Sequence, residues 1–155
     1  MISRTFSTKL SLAICIFFAA VLTVSAFTFP LFLNWFYVSY HHLNADSALV
    51  TRNVTAITAA FYVCVPFAAA ALYMLIRLLV NVLHEAVFIT KNVQYLRRLS
   101  WCCFAVALVT GVGAFFYVPL GIIAAAMAVV GTLLRVVKNL MHAAVALREE
   151  NDLTI

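Results

Sequence analysis

The chain has 155 residues, of which 66% are hydrophobic and only 10% charged, and its formal net charge is +5. Ordinary soluble domains carry about a quarter charged residues, and a globule of this length has too little interior to hide so much apolar surface. That excludes an ordinary soluble globule and points to one domain solvated by lipid, with too few glycines and prolines for a flexible linker.

Lys9 and Asp46 bracket a long uncharged run. A spanning helix needs about 20 apolar residues, so the first span is placed at 11–33. Pro30 is expected to kink its outer end. Asn34, Trp35, Tyr37 and Tyr40 suit the headgroup zone, where amphipathic rings collect. A cleaved signal peptide is the alternative, with Arg4 and Lys9 as its basic start and Val24-Ser25-Ala26 as its small-residue site. Against it, the apolar run continues through 27–38. Under either reading the next segment starts outside, after a short polar loop at 41–52.

The second span is placed at 54–76, with Pro66 in its middle and Arg77 snorkelling at its inner edge. Leu79, Leu83 and Ala86 keep one face apolar beyond Arg77, so this helix is expected to run on into the cytoplasm. A turn and a new helix follow at 88–100, with Thr90 as its expected N-cap. Val93, Leu96 and Leu99 line one face of it, and Lys91, Gln94, Arg97 and Arg98 are polar. The third span is placed at 99–117 and the fourth at 120–134, with Pro119 and Gly121 marking the turn between them. An amphipathic tail, 135–155, completes the chain. The expected fold is all-α: an integral membrane four-helix bundle with cytoplasmic helical extensions, in one domain, 1–155.

Orientation follows from lysine and arginine. Arg4, Lys9, Arg77, Lys91, Arg97, Arg98, Arg135, Lys138 and Arg148 all fall on proposed inner segments, and of the ten basic residues only Arg52 falls outside. Both termini are therefore expected in the cytoplasm, with the basic residues facing anionic lipid. These residues flank apolar runs rather than forming one stripe, and no zinc finger, helix-turn-helix or aromatic RNA-binding motif accompanies them. No direct nucleic-acid binding is expected. Ala56/Ala60, Gly121/Ala125 and Ala124/Ala128 are small pairs four apart, which let membrane helices approach closely.

Chemistry-bearing residues are sparse. Cys15, Cys64, Cys102 and Cys103 lie within apolar runs and read as small buried hydrophobes rather than a disulfide framework. Cys102 and Cys103 are about 100° apart on a helix, a poor pair of ligands for one metal. His84-Glu85 lacks the second histidine of a zincin motif, and His41-His42 lacks a third ligand. No nucleophile elbow or phosphate loop is present. No Asp, Glu or His lies within a proposed span, whereas proton-coupled transporters carry an ionisable group at membrane depth. The expectation is no enzyme, no metal and no cofactor.

Two stretches are distinctive: Phe88-Ile89-Thr90-Lys91-Asn92-Val93-Gln94-Tyr95-Leu96-Arg97-Arg98-Leu99, and Leu147-Arg148-Glu149-Glu150-Asn151-Asp152-Leu153-Thr154-Ile155. Together they resemble the bacterial membrane proteins of domain-of-unknown-function family 2975. Phe88, Asn92, Leu96 and Arg97 match the family's central pattern, and Asp152, Leu153, Thr154 and Ile155 its closing motif after the acids Glu149 and Glu150. Lys91 stands where that family often has an acid. The resemblance implies a multi-pass protein of the bacterial inner membrane. Genes of this family often neighbour a small helix-turn-helix regulator, so it also implies a cytoplasmic regulatory partner.

The expected role is a non-enzymatic membrane partner or sensor, with a small transporter or channel component as the alternative and a homo-oligomer as a further expectation. The candidate interaction motif comprises Phe88, Asn92, Leu96, Arg97, Arg98, Glu149, Glu150, Asp152, Leu153, Thr154 and Ile155. Acids at a helix C-terminus oppose its dipole. The tail is therefore expected to fold back on the basic segment, with Leu153 and Ile155 beside Val93 and Leu96; the alternative is a solvated, frayed tail.

Overall fold

The computed structural model describes residues 4–40, 48–84 and 89–152. They form four helices, α1 (Arg4–Tyr40), α2 (Ala48–Leu83), α3 (Thr90–Gly113) and α4 (Pro119–Asp152), and no strand is present among them. All four are long and apolar enough to cross a membrane. At 1.5 Å per residue α3 is about 36 Å long, close to the roughly 30 Å hydrocarbon core. The other three have 37, 36 and 34 residues and exceed it.

The packing is serial. Among the described residues α1 touches α2, α2 touches α3 and α3 touches α4, and no other pair of helices meets. Among these residues the bundle is therefore open, and its two outer helices each have one neighbour. The accessible surface is 10695 Å², against about 7,800 Å² for a compact soluble protein of this mass. Large apolar side chains such as Phe17, Phe27, Leu108 and Ile122 face outward, where lipid rather than water is the compatible solvent.

Few side chains set the register. Phe29 of α1 stacks on Phe61 of α2, with ring centroids 3.9 Å apart, and Leu33 and Val50 are buried together above them. Between α2 and α3, Ala60 lies against Gly113 at one end and Asn81 bonds Asn92 at the other. Between α3 and α4, Gly131 sits on Cys103 and Phe104, Ala124 faces Gly111, and Gly121 faces Ala114. A helix surface without a side chain lets the neighbouring backbone approach, the usual device of membrane helix pairs. Ala60 and Ala124 thus serve helix contacts, while Ala125 is exposed.

The expected cap and end of α3 are corrected, while Pro30 lies inside α1, which is one helix from Arg4 to Tyr40. Proline leaves the carbonyl four residues earlier without its donor, and that carbonyl, on Ala26, accepts a 2.8 Å hydrogen bond from the Tyr62 hydroxyl of α2. The cap of α3 is Ile89, in extended geometry and with no side-chain cap bond, so Thr90 is the first helical residue. The segment before residue 99 and the third span are one continuous helix. That helix stops at Gly113 rather than 117, and the turn occupies 114–118. Pro119 then opens α4, because a proline with its fixed φ and missing donor is suited to the first helical position. Gly121 lies inside α4.

Candidate functional site

The basic end of the bundle is built where α2, α3 and α4 run side by side. Asn92, Val93, Leu96, Leu99, Ser100 and Cys103 are buried, which is the i, i+4, i+7 spacing of one helical face. Asn92 is 0% exposed. Its side-chain oxygen accepts a 2.7 Å bond from the Asn81 amide of α2, and its backbone N–H donates to the Ile89 carbonyl at 3.0 Å. A buried amide without partners would be costly, so this pair ties the start of α3 to the end of α2. One turn on, Arg77 of α2 lies beside the Tyr95 side chain. The opposite face of α3 presents Lys91, Gln94, Arg97 and Arg98, all exposed.

On the far side, the Arg135 guanidinium of α4 lies 4.7 Å from the Trp101 ring and 5.0 Å from the Phe104 ring. Cation–π contacts of this kind hold a charge at an aromatic face. The registers given above bring Arg77, Arg97, Arg98, Arg135 and Lys138 to nearly one height, within about 6 Å. In the same register Thr90 is level with about residue 144, so the end of α4 projects roughly 12 Å past the start of α3.

The sequence motif divides on this framework. Asn92 and Leu96 belong to the interior and position the segment. Arg97 and Arg98 form its accessible surface. Glu150 is exposed on the projecting end of α4. Glu149 and Asp152 also lie on α4, and the placement of their side chains is outside the described residues, as are Phe88, Leu153, Thr154 and Ile155, the His41-His42 pair and Glu85. The tail does not turn back before Asp152, because α4 stays helical to that point.

The opposite end holds a feature that sequence reading did not find. A groove of about 770 Å³ runs between α2 and α3, walled by Ala56, Ala60 and Val63 on one side and Val112 and Phe116 on the other, with Arg52 at its outer rim. It exists because α3 ends at Gly113, level with Ala60, while α2 continues for about another dozen residues, 18 Å. The groove is within the usual size range for small-molecule sites. Its lining suits an apolar chain with an anionic head beside Arg52. The signal was the run of small residues on α2, but only the early end of α3 turns that stripe into a groove.

Among the described residues no three His, Cys, Asp or Glu side chains gather as a metal site, and the four cysteines are free thiols. In comparisons with known proteins, the model of the family described as "Protein of unknown function (DUF2975)" matches residues 30–155. No curated protein and no solved structure matches the chain.

Proposed function

The chain belongs to the DUF2975 family, whose description assigns no activity, and from the geometry of the basic end we propose that it is a non-enzymatic docking protein of the bacterial inner membrane. Both termini lie in the cytoplasm, and the basic end holds a cytoplasmic partner, such as a helix-turn-helix regulator. The observation that carries this reading is the exposure of Arg97 and Arg98 on a helix that the Asn81–Asn92 bond locks to its neighbour. Two guanidiniums on a fixed backbone can recognise carboxylates in forked geometry with little ordering cost. The orientation is supported by the gathering of basic side chains at one end of the helices.

The test is co-purification from gently solubilised membranes, with Arg97→Glu/Arg98→Glu beside the wild type. The expected result is a cytoplasmic protein retained by the wild type and reduced roughly tenfold by the double reversal, as for charged contacts at an interface rim. Equal recovery with both proteins would overturn the reading.

The groove beside Arg52 favours a second reading, a small transporter or channel component. The absence of Asp and Glu from the membrane-crossing stretches weighs against proton coupling. Transport driven by a pH gradient in liposomes containing the purified protein would place this reading first.

A further inference from the structure

Apolar side chains that face lipid need no partner, but α4 continues its apolar stripe beyond the level of the basic residues. Val130, Leu133, Val137, Leu140, Ala144 and Leu147 follow one another at alternating spacings of three and four, the a and d positions of three consecutive heptads. The five large ones are all exposed. Leu140 and Leu147, 66% and 67% exposed, lie past Arg135 and Lys138, whose charges belong at the headgroup level or beyond it. A helix lying flat on the membrane would bury them, but α4 is one helix from Pro119 to Asp152 and carries them away from the surface.

The stripe also lies where a second helix can reach it. At 100° per residue its centre is about 130° around α4 from the face of Gly131, which packs on Cys103 and Phe104 of α3, and of Val145, which is buried. Helix α4 has no neighbour other than α3 among the described residues, so docking on the stripe displaces nothing.

We propose that α4 pairs with α4 of a second copy of this chain as a parallel two-stranded coiled coil that starts in the membrane and extends into the cytoplasm. The residue types select this occupant. β-Branched residues at a with leucine at d favour two parallel strands, and here a is Val130, Val137 and Ala144, two of the three β-branched, and d is Leu133, Leu140 and Leu147. Asn151 occupies the next a position, where a single asparagine specifies register and a dimer. Copies inserted in one membrane share one orientation, so their α4 helices are parallel by necessity, and a two-fold axis along the membrane normal closes the pair. This pairing rests on the cytoplasmic C-terminus proposed above but not on the docking function.

Single cysteines test it in membranes, in full-length protein whose Cys15, Cys64, Cys102 and Cys103 have been replaced by serine or alanine. Under mild oxidation Leu140→Cys, Ala144→Cys and Leu147→Cys are expected to give disulfide-linked dimers, and Asn139→Cys and Ala146→Cys, on the far face, are not. The wild-type protein in nanodiscs is expected to show two copies per particle by photobleaching, and Leu140→Glu/Leu147→Glu one copy with unchanged helical content. Equal crosslinking at all five positions would overturn the proposal. So would a single copy of the wild type, a count of three or more, or crosslinks from residue 147 only to a different protein.

Discussion

A proline inside a membrane helix forces the question of where its orphaned carbonyl finds a donor. At Pro30 the answer is the Tyr62 hydroxyl, 2.8 Å from the Ala26 oxygen. The sequence shows a proline and, 32 residues on, a tyrosine, and nothing in their spacing connects them. The pairing predicts a thermodynamic coupling. Tyr62→Phe should cost about 1 kcal/mol, the scale of one interhelical hydrogen bond in a membrane. It should cost almost nothing in a Pro30→Ala background, where the backbone N–H of residue 30 can again reach Ala26. Unfolding free energies of the four proteins in detergent complete the cycle, and an equal cost of Tyr62→Phe in both backgrounds would refute this role of the hydroxyl.

At the scale of elements, the two best-defined contacts of the hairpin of α3 and α4 involve glycine, but with different tolerances. A Cβ on Gly131 would meet the Phe104 ring at 3.2 Å and the Cys103 Cβ at 3.3 Å. A Cβ on Gly113 would meet the tip of Leu120, Cδ1, at 2.7 Å, an atom that a rotamer change can withdraw. Gly131→Leu is therefore expected to destabilise by about 1–3 kcal/mol, as overpacked sites do, and Gly113→Ala by much less. Thermal unfolding in detergent measures both, and a Gly131→Leu protein as stable as the wild type would mean that the helices are not held in this register. The element boundaries show what sequence could and could not supply. Hydropathy located all four helices, but not the stop at Gly113. The apolar run continues through Phe115 and Phe116, and hydropathy alone does not distinguish helix from turn there.

For the whole molecule, the topological expectation is an inner basic end and an outer groove. Reporters fused after Arg98 and after Ile155 should be active in the cytoplasm, and one inserted at 41–47 outside it. An external C-terminus would exclude the topology.

Composition, helical periodicity and the placement of lysine and arginine determined that the fold is all-α, that it has four membrane-length segments, and which end of them is basic. The closing motif and the central Asn-Leu-Arg pattern pointed to its family, which the match over residues 30–155 establishes. These properties follow from each segment's own interaction with lipid and water, so they can be read one segment at a time. The tertiary structure decided the rest: that Asn92 is an interior tie to Asn81 while Arg97 and Arg98 face outward, that Tyr62 serves the carbonyl freed by Pro30, that the helices pack in series, and that a groove opens where α3 falls short of α2. Each of these depends on the register between two helices. Register is set by where glycines, alanines and paired polar groups allow backbones to meet, and no single segment contains that information.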